Sequence, residues 1–252
     1  MNSKIKLDKG WDAMRVLVLG VTGMLGSAVF KLLSNRFEVW GTLRNIGDKH
    51  YFSPELQGKL ISSVDVLQEV DLVNVLSVVK PDVVINCVGL VKQLAISNDP
   101  LAALPINSMF PHRLARLCSL TGTRVVHIST DCVFTGAKGL YVEQDVADSL
   151  DLYGVSKRLG EIDYPNAITL RTSIIGHELD GNRSLIDWFL AQEGEVNGFS
   201  RATFSGLPTV EVAKLIGDFV IPNPHLTGLH HISASPINKY DLLSLVSKVY
   251  EK

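Results

Sequence analysis

Residues Arg15 to Gly20 read RVLVLG, an apolar run without alternation that stops at a glycine, and VTGMLGSAVFKLLSN follows it directly. In that second stretch Met24, Leu25, Ala28, Val29, Leu32 and Leu33 recur at helical spacing. A strand that is apolar on both faces cannot stand against water, so it belongs inside a sheet covered by helices on each side. The same pairing returns along the chain. EVWGTL (Glu38 to Leu43) and KLISSVDV (Lys59 to Val66) read as the second and third strands, and PDVVINCVG (Pro81 to Gly89) as the fourth, after the helix LVNVLSVV. A helix around Asn107 to Leu120 precedes TRVVHIS (Thr123 to Ser129), and the helix carrying YGVSKRLGE precedes AITLRTS (Ala167 to Ser173). Alternation of strand and helix at this rhythm predicts an α/β fold built on a doubly wound parallel sheet.

After Ser173 the rhythm weakens into a helix SLIDWFLAQ, the Gly- and Ser-containing NGFSRATFSGLPT, a helix VEVAKLIGDFV, a short strand GLHHIS and a last helix KYDLLSLVSKVY. The expected division is a nucleotide-binding Rossmann-like domain over 14–172 and a small mixed α/β lobe over 173–252, packed against the strand ends. Residues 1–13, MNSKIKLDKGWDA, precede Met14 and read as a loose arm or as an upstream start; they carry charges and lack the apolar core of a signal peptide. A length of 252 residues suits this arrangement.

Balanced charge argues against nucleic acid or a membrane surface as partner, since 24 Lys and Arg face 26 Asp and Glu without long runs of one sign. No apolar run reaches membrane-spanning length. Cys87, Cys118 and Cys132 are far apart and lack CxxC spacing, which predicts buried thiols in a reducing, cytoplasmic setting.

Gly20, Gly23 and Gly26 form G-V-T-G-M-L-G between the first strand and its helix. Glycines there let the chain turn sharply and let a pyrophosphate approach the amides of Thr22, Gly23, Met24 and Leu25 at the helix N-terminus. The alternative is a turn whose glycines serve packing alone; the strand-turn-helix context favours a dinucleotide. At the end of the second strand GTLRN offers Thr42 and Arg44 and no acid, which favours the 2′-phosphate of NADPH over NADH, although a lone arginine is more often a solvated loop residue. Asp65 and Val66 close the third strand, where the aspartate either meets an adenine amino group or starts a turn. Cys87, Val88 and Gly89 close the fourth and would lie against the same cofactor, with Cys87 as packing rather than nucleophile.

Taken in order, G-V-T-G-M-L-G, STDCVF (Ser129 to Phe134), YGVSK (Tyr153 to Lys157) and LRTS (Leu170 to Ser173) resemble the extended short-chain dehydrogenase/reductases, and most closely their dTDP-4-dehydrorhamnose reductase branch. PTVEVAKLI (Pro208 to Ile216) is also similar to that branch. The chemistry requires such residue types independently: a ketone reduced by a nicotinamide needs a proton delivered to oxygen, and a phenol becomes competent near neutral pH only beside a cation. The resemblance implies Tyr153 as proton donor, Lys157 as the cation that lowers its pKa and bonds the nicotinamide ribose, and Thr130 as a hydrogen-bond partner of the substrate oxygen. It further implies cofactor contacts at Ser129, Thr172 and Ser173, and a water-mediated support of Lys157 by Asn107, whose local alternative is a helix-start cap. Cys132 stands where the branch commonly carries an aromatic residue, and the chain is shorter toward its C-terminus; both bear on the substrate pocket.

The resulting expectation is an NADPH-dependent oxidoreductase acting on the 4-keto group of a nucleotide-diphosphate deoxysugar, in cell-surface polysaccharide synthesis, with a homodimer allowed and no metal. Two rivals stay open. One is an epimerase or dehydratase that retains its cofactor, the latter disfavoured by the single Asp in STDCVF; the other is a non-catalytic NADP-binding subunit resembling the β subunit of methionine adenosyltransferase. His230 and His231 are neighbours on a strand and point to opposite faces, one expected buried and one exposed, so they make a poor metal pair. The GxSxG of a serine hydrolase is absent.

Overall fold

In β1 (Arg15–Leu19) every residue after the first is buried, as a run apolar on both faces demands. The computed structural model describes residues 14–252, and the arm expected over 1–13 lies outside the described residues. From β1 the chain runs through α1 (Met24–Leu33), β2 (Glu38–Thr42), the four-residue α2 (Pro54–Gln57), β3 (Leu60–Ile61), α3 (Glu69–Val79) and β4 (Val83–Asn86). It continues through α4 (Pro100–Ala103), α5 (Phe110–Ser119), β5 (Arg124–Ser129), α6 (Leu152–Leu159) and β6 (Ala167–Thr172). Beyond lie β7 (Ile174–Ile175), α7 (Leu185–Leu190), β8 (Thr203–Phe204), β9 (Leu207–Pro208), α8 (Thr209–Leu215), β10 (Gly228–Ile232), β11 (Ile237–Asn238) and α9 (Lys239–Tyr250).

Seven strands form one parallel sheet in the order β10-β6-β5-β4-β1-β2-β3. The winding reverses between β1 and β4, and a crevice opens at the carboxyl ends of the strands there. Side-chain alternation divides the core into two layers. Val16 and Val18 pack with Val29 and Phe30 of α1 and Val212 and Ala213 of α8. Leu17 and Leu19 pack on the other face with Leu72 and Val75 of α3 and Phe110 and Leu114 of α5. Each such fully buried side chain contributes about 1.5–3 kcal/mol.

Two expectations change. The third strand pairs over two residues only, because Ser63 adopts a left-handed φ of 60° and turns the chain out of the sheet. The tail after Ser173 does not all leave the sheet: β10 pairs in parallel with β6, so GLHHI covers an edge that would otherwise expose unpaired backbone. Arg124 at the start of β5 holds this return in place, its guanidinium donating to the carbonyls of Val220 at 2.5 Å and Leu226 at 2.7 Å. What stands off the carboxyl ends is the pairing of β7 with β9, that of β8 with β11, and α7 with α9.

The helix expected around Asn107 is a longer helical run, widened to π-helix over Leu104–Met109 between α4 and α5. Among the described residues no helix is long and apolar enough to cross a membrane.

Candidate active site

Gly20 adopts a φ of 80°, and a Cβ on it would stand 2.9 Å from Val88 Cγ2. A Cβ on Gly26 would overlap the Gly20 carbonyl, so the turn tolerates only glycine at both positions. Gly23 caps α1 without a side-chain hydrogen bond, and the first turn carries no acid. The positive end of the helix therefore borders, at Gly23, an open space suited to an anion.

That space is a cavity of about 280 Å³ at the carboxyl ends of β1 to β4. Of the residues expected to touch a cofactor, Gly20, Thr22, Gly23, Arg44, Asp65, Val66, Cys87, Val88 and Gly89 all line it. Met24, Leu25 and Gly26 do not: Leu25 turns into the core and Gly26 packs on the Gly20 carbonyl. Thr42, offered with Arg44 at the end of the second strand, lines it too, and Leu43, Val64, Leu67, Leu90 and Ile106 complete the wall and escaped the sequence reading. The strand-end position marked Thr42 in the sequence, whereas Ile106 comes from the π-helical turn and had no such mark. Asp65 serves its turn as well, its Oδ1 accepting from the Leu67 amide at 3.0 Å. The glycine cradle, the uncapped helix and the exposed Arg44 fit a phosphorylated dinucleotide.

Asp151 starts α6 by accepting from the Gly154 amide at 2.8 Å, which fixes Tyr153 and Lys157 one turn apart. Lys157 is buried and donates to the Ile128 carbonyl at 2.8 Å. A Cβ on Gly89 would lie 3.7 Å from its Nζ, so the ammonium abuts the wall of the smaller cavity. Burial pulls its pKa down to about 8, against the opposing pull of Glu161. Tyr153 departs from expectation: burial holds its phenol above the ordinary value, while a hydrogen bond with Thr130 acts in the lowering direction. Lys157 has its hydrogen bond on the strand carbonyl instead. Thr130 closes β5, accepts from the Cys132 amide at 3.1 Å and donates to Asp131 Oδ1 at 3.2 Å.

Asn107 is buried inside the helical run, which removes the helix-start cap reading. Its Oδ1 accepts from the Leu90 amide at 2.9 Å, and its Nδ2 donates to the Leu90 carbonyl and to Ser156 Oγ, both at 3.1 Å. It thus ties the turn after β4 to α6 directly. Ser129 also faces inward, donating to Glu161 Oε1 at 2.8 Å.

A larger cavity of about 550 Å³ opens beside β5, β6 and β10 and is lined by Asp131, Cys132, Phe134, Tyr141, Arg171, Thr172, Ser173, Thr203, Ser205 and His231 among others. Thr172 and Ser173, expected to touch the cofactor, face this space, Thr172 as the last residue of β6. The Phe134 and Tyr141 rings stack at 4.2 Å, and the Arg171 guanidinium lies 4.9 Å over Phe134. Neither Thr130, Tyr153 nor Lys157 lines either cavity; Asp131 and Cys132 next to Thr130 line the larger, and Gly89 against Lys157 lines the smaller.

Cys118 is buried as expected, while Cys87 and Cys132 are partly exposed as residues at the two cavities. Burial pushes Cys87 up to about 12, so it stays a thiol. His231 Nε2 meets Arg171 Nη1 at 3.2 Å, while His230 Nε2 meets the Thr227 carbonyl, so the pair diverges as expected, yet both rings are partly buried. Among the described residues no three His, Cys, Asp or Glu gather as they would around a metal ion.

The family model described as the RmlD substrate binding domain matches residues 14–242. Methionine adenosyltransferase 2 subunit beta of Danio rerio is 27% identical over 251 residues, covering 94% of this chain and 74% of that protein. Three mammalian forms of the same subunit are matched over only 41% of their own length. A hypothetical dTDP-4-dehydrorhamnose reductase from Sulfolobus tokodaii superposes with a TM-score of 0.76 at 27% identity, over 94% of this chain and 82% of the other. The dTDP-4-dehydrorhamnose reductase of Bacillus anthracis, solved in complex with NADP, shares the fold with a TM-score of 0.75 at 19% identity, over 95% and 81%.

Proposed function

The chain belongs to the RmlD substrate binding domain family, and from that premise we propose that it is an NADPH-dependent reductase of the 4-keto group of a nucleotide-diphosphate deoxysugar. The observation that carries this reading is the convergence of Thr130, Tyr153 and Lys157 between a glycine-cradled cavity and a larger one. Gly20, Thr22, Gly23 and Arg44 would hold the dinucleotide phosphates, with Gly89 and Lys157 toward the nicotinamide end. Bound there, the nicotinamide supplies the hydride.

The chain's own residues then handle the proton. Tyr153, kept protonated by burial, donates from its hydroxyl to the substrate oxygen, and Thr130 orients that oxygen. Lys157, charged below about pH 8, stabilises the phenolate left behind. Thr172 and Ser173, with the Phe134–Tyr141 stack, offer hydroxyls and an aromatic shelf to a sugar in the larger cavity.

Tyr153→Phe is the test. With NADPH and a dTDP-4-keto-6-deoxysugar, loss of the reduced-nicotinamide absorbance should slow by about 10²–10⁴-fold while cofactor binding persists. Undiminished turnover would sink the assignment of Tyr153. Stoichiometric release of NADP+ would separate a reductase from a cofactor-retaining epimerase.

A second reading is favoured by the match to methionine adenosyltransferase 2 subunit beta over nearly the whole chain: a non-catalytic, NADP-binding subunit. Tight NADPH binding without turnover of any keto-sugar nucleotide, together with a co-purifying partner, would select it.

A further inference from the structure

Beneath the catalytic residues lies an ion pair that the proton transfer does not use. Arg171 donates through Nε to Glu161 Oε1 and through Nη2 to Glu161 Oε2, both at 2.7 Å, and the side chains are 6% and 11% exposed. Ser129 adds a third hydrogen bond to the same carboxylate, and Arg171 Nη1 reaches His231 Nε2. The knot is attached to the site at each element, since Ser129 precedes Thr130, Glu161 follows Lys157 by four residues, and Arg171 precedes Thr172.

Lys157 has no carboxylate of its own within ion-pair range among the described residues, and its Nζ holds one carbonyl. The titratable groups that face it are Glu161, beyond the end of α6 and held by Ser129 next to the Ile128 carbonyl that takes the ammonium, and the Cys87 thiol after β4 and the His127 ring of β5, both of which burial keeps neutral. Glu161 is the one anion of that set. Its own field is offset by Arg171 from β6, whose other neighbours are Phe134 and His231, with Glu143 accepting the His231 amide.

We infer that Glu161 and Arg171 are positioning residues that set the charge state of Lys157, the carboxylate keeping the ammonium protonated and the guanidinium limiting that effect. The inference rests on Lys157 being the cation that serves Tyr153. Neutralising either partner should move the lysine in opposite directions, which loss of packing alone would not do.

The test follows Lys157 itself, by carbon-13 NMR of protein labelled at lysine Cε, with the resonance assigned through Lys157→Arg. The titration midpoint, near 8 in the unaltered chain, should fall by about 1 pH unit or more in Glu161→Gln and rise in Arg171→Gln. The double variant, a neutral amide pair that replaces both buried charges, should lie between the singles. Should Glu161→Gln fail to fold around its unpaired arginine, a higher midpoint in Arg171→Gln than in the double variant carries the inference. Midpoints that do not move, or that move together, overturn it. The basic limb of kcat/KM should follow the same order. NMR shifts as expected with no turnover in any variant would remove the reductase reading and leave this one standing.

Discussion

Arg44 is exposed at the mouth of the smaller cavity, at the end of a strand that closes without an acid. Arg44→Ser should weaken NADPH by about 10–100-fold, the equivalent of one or two charge-assisted hydrogen bonds, and leave NADH nearly unchanged. Fluorescence titration of the reduced cofactors checks it, and equal losses for both would remove the 2′-phosphate role. At this scale the sequence was most legible where chemistry depends on short spacing. The interval from Tyr153 to Lys157 and the glycines at 20, 23 and 26 each sit within one element or turn, so local geometry constrains them. Protonation was not legible: the phenol is raised and the ammonium lowered by the bulk of protein around them, which spacing does not encode.

Asn107 shows the same contrast among elements. In sequence it resembled a helix start or a water-mediated support; in the fold it is inside a π-helical turn and binds Leu90 twice and Ser156 once. Gly160 belongs to the same contact, because a Cβ there would overlap the Asn107 carbonyl. Asn107→Ala should lower stability by about 1–3 kcal/mol in urea unfolding, since the Leu90 amide and carbonyl lose buried partners. With the smaller cavity as the proposed cofactor site, NADPH should bind more weakly as well, because the turn at Cys87 to Leu90 lines that cavity; an unchanged dissociation constant would confine Asn107 to stability. The shortness of β3 has a local cause, the left-handed Ser63, which a β-propensity reading of ISSVDV passes over.

For the whole molecule the decisive joint is Arg124, which reaches from the start of β5 to the carbonyls of Val220 and Leu226. Arg124→Met should leave those carbonyls without their donor and cost about 1–3 kcal/mol. Hydrogen exchange should accelerate in β10 first, with the glycine turn protected as before; uniform acceleration would show that the return strand is not separately fastened. By itself the sequence determined the parallel, two-sided sheet, the glycine turn and the one-turn spacing of Tyr153 and Lys157, because strand burial, turn conformation and helix spacing are properties of neighbours along the chain. Tertiary structure alone decided that GLHHI completes the main sheet, that Arg171 of one strand neutralises Glu161 beyond a helix, and that the cavity beside Cys132 is shaped by residues as distant as Thr203 and His231. Those are contacts between segments far apart in sequence, formed where an unpaired strand edge or a buried charge found its partner, and no local pattern marks them in advance.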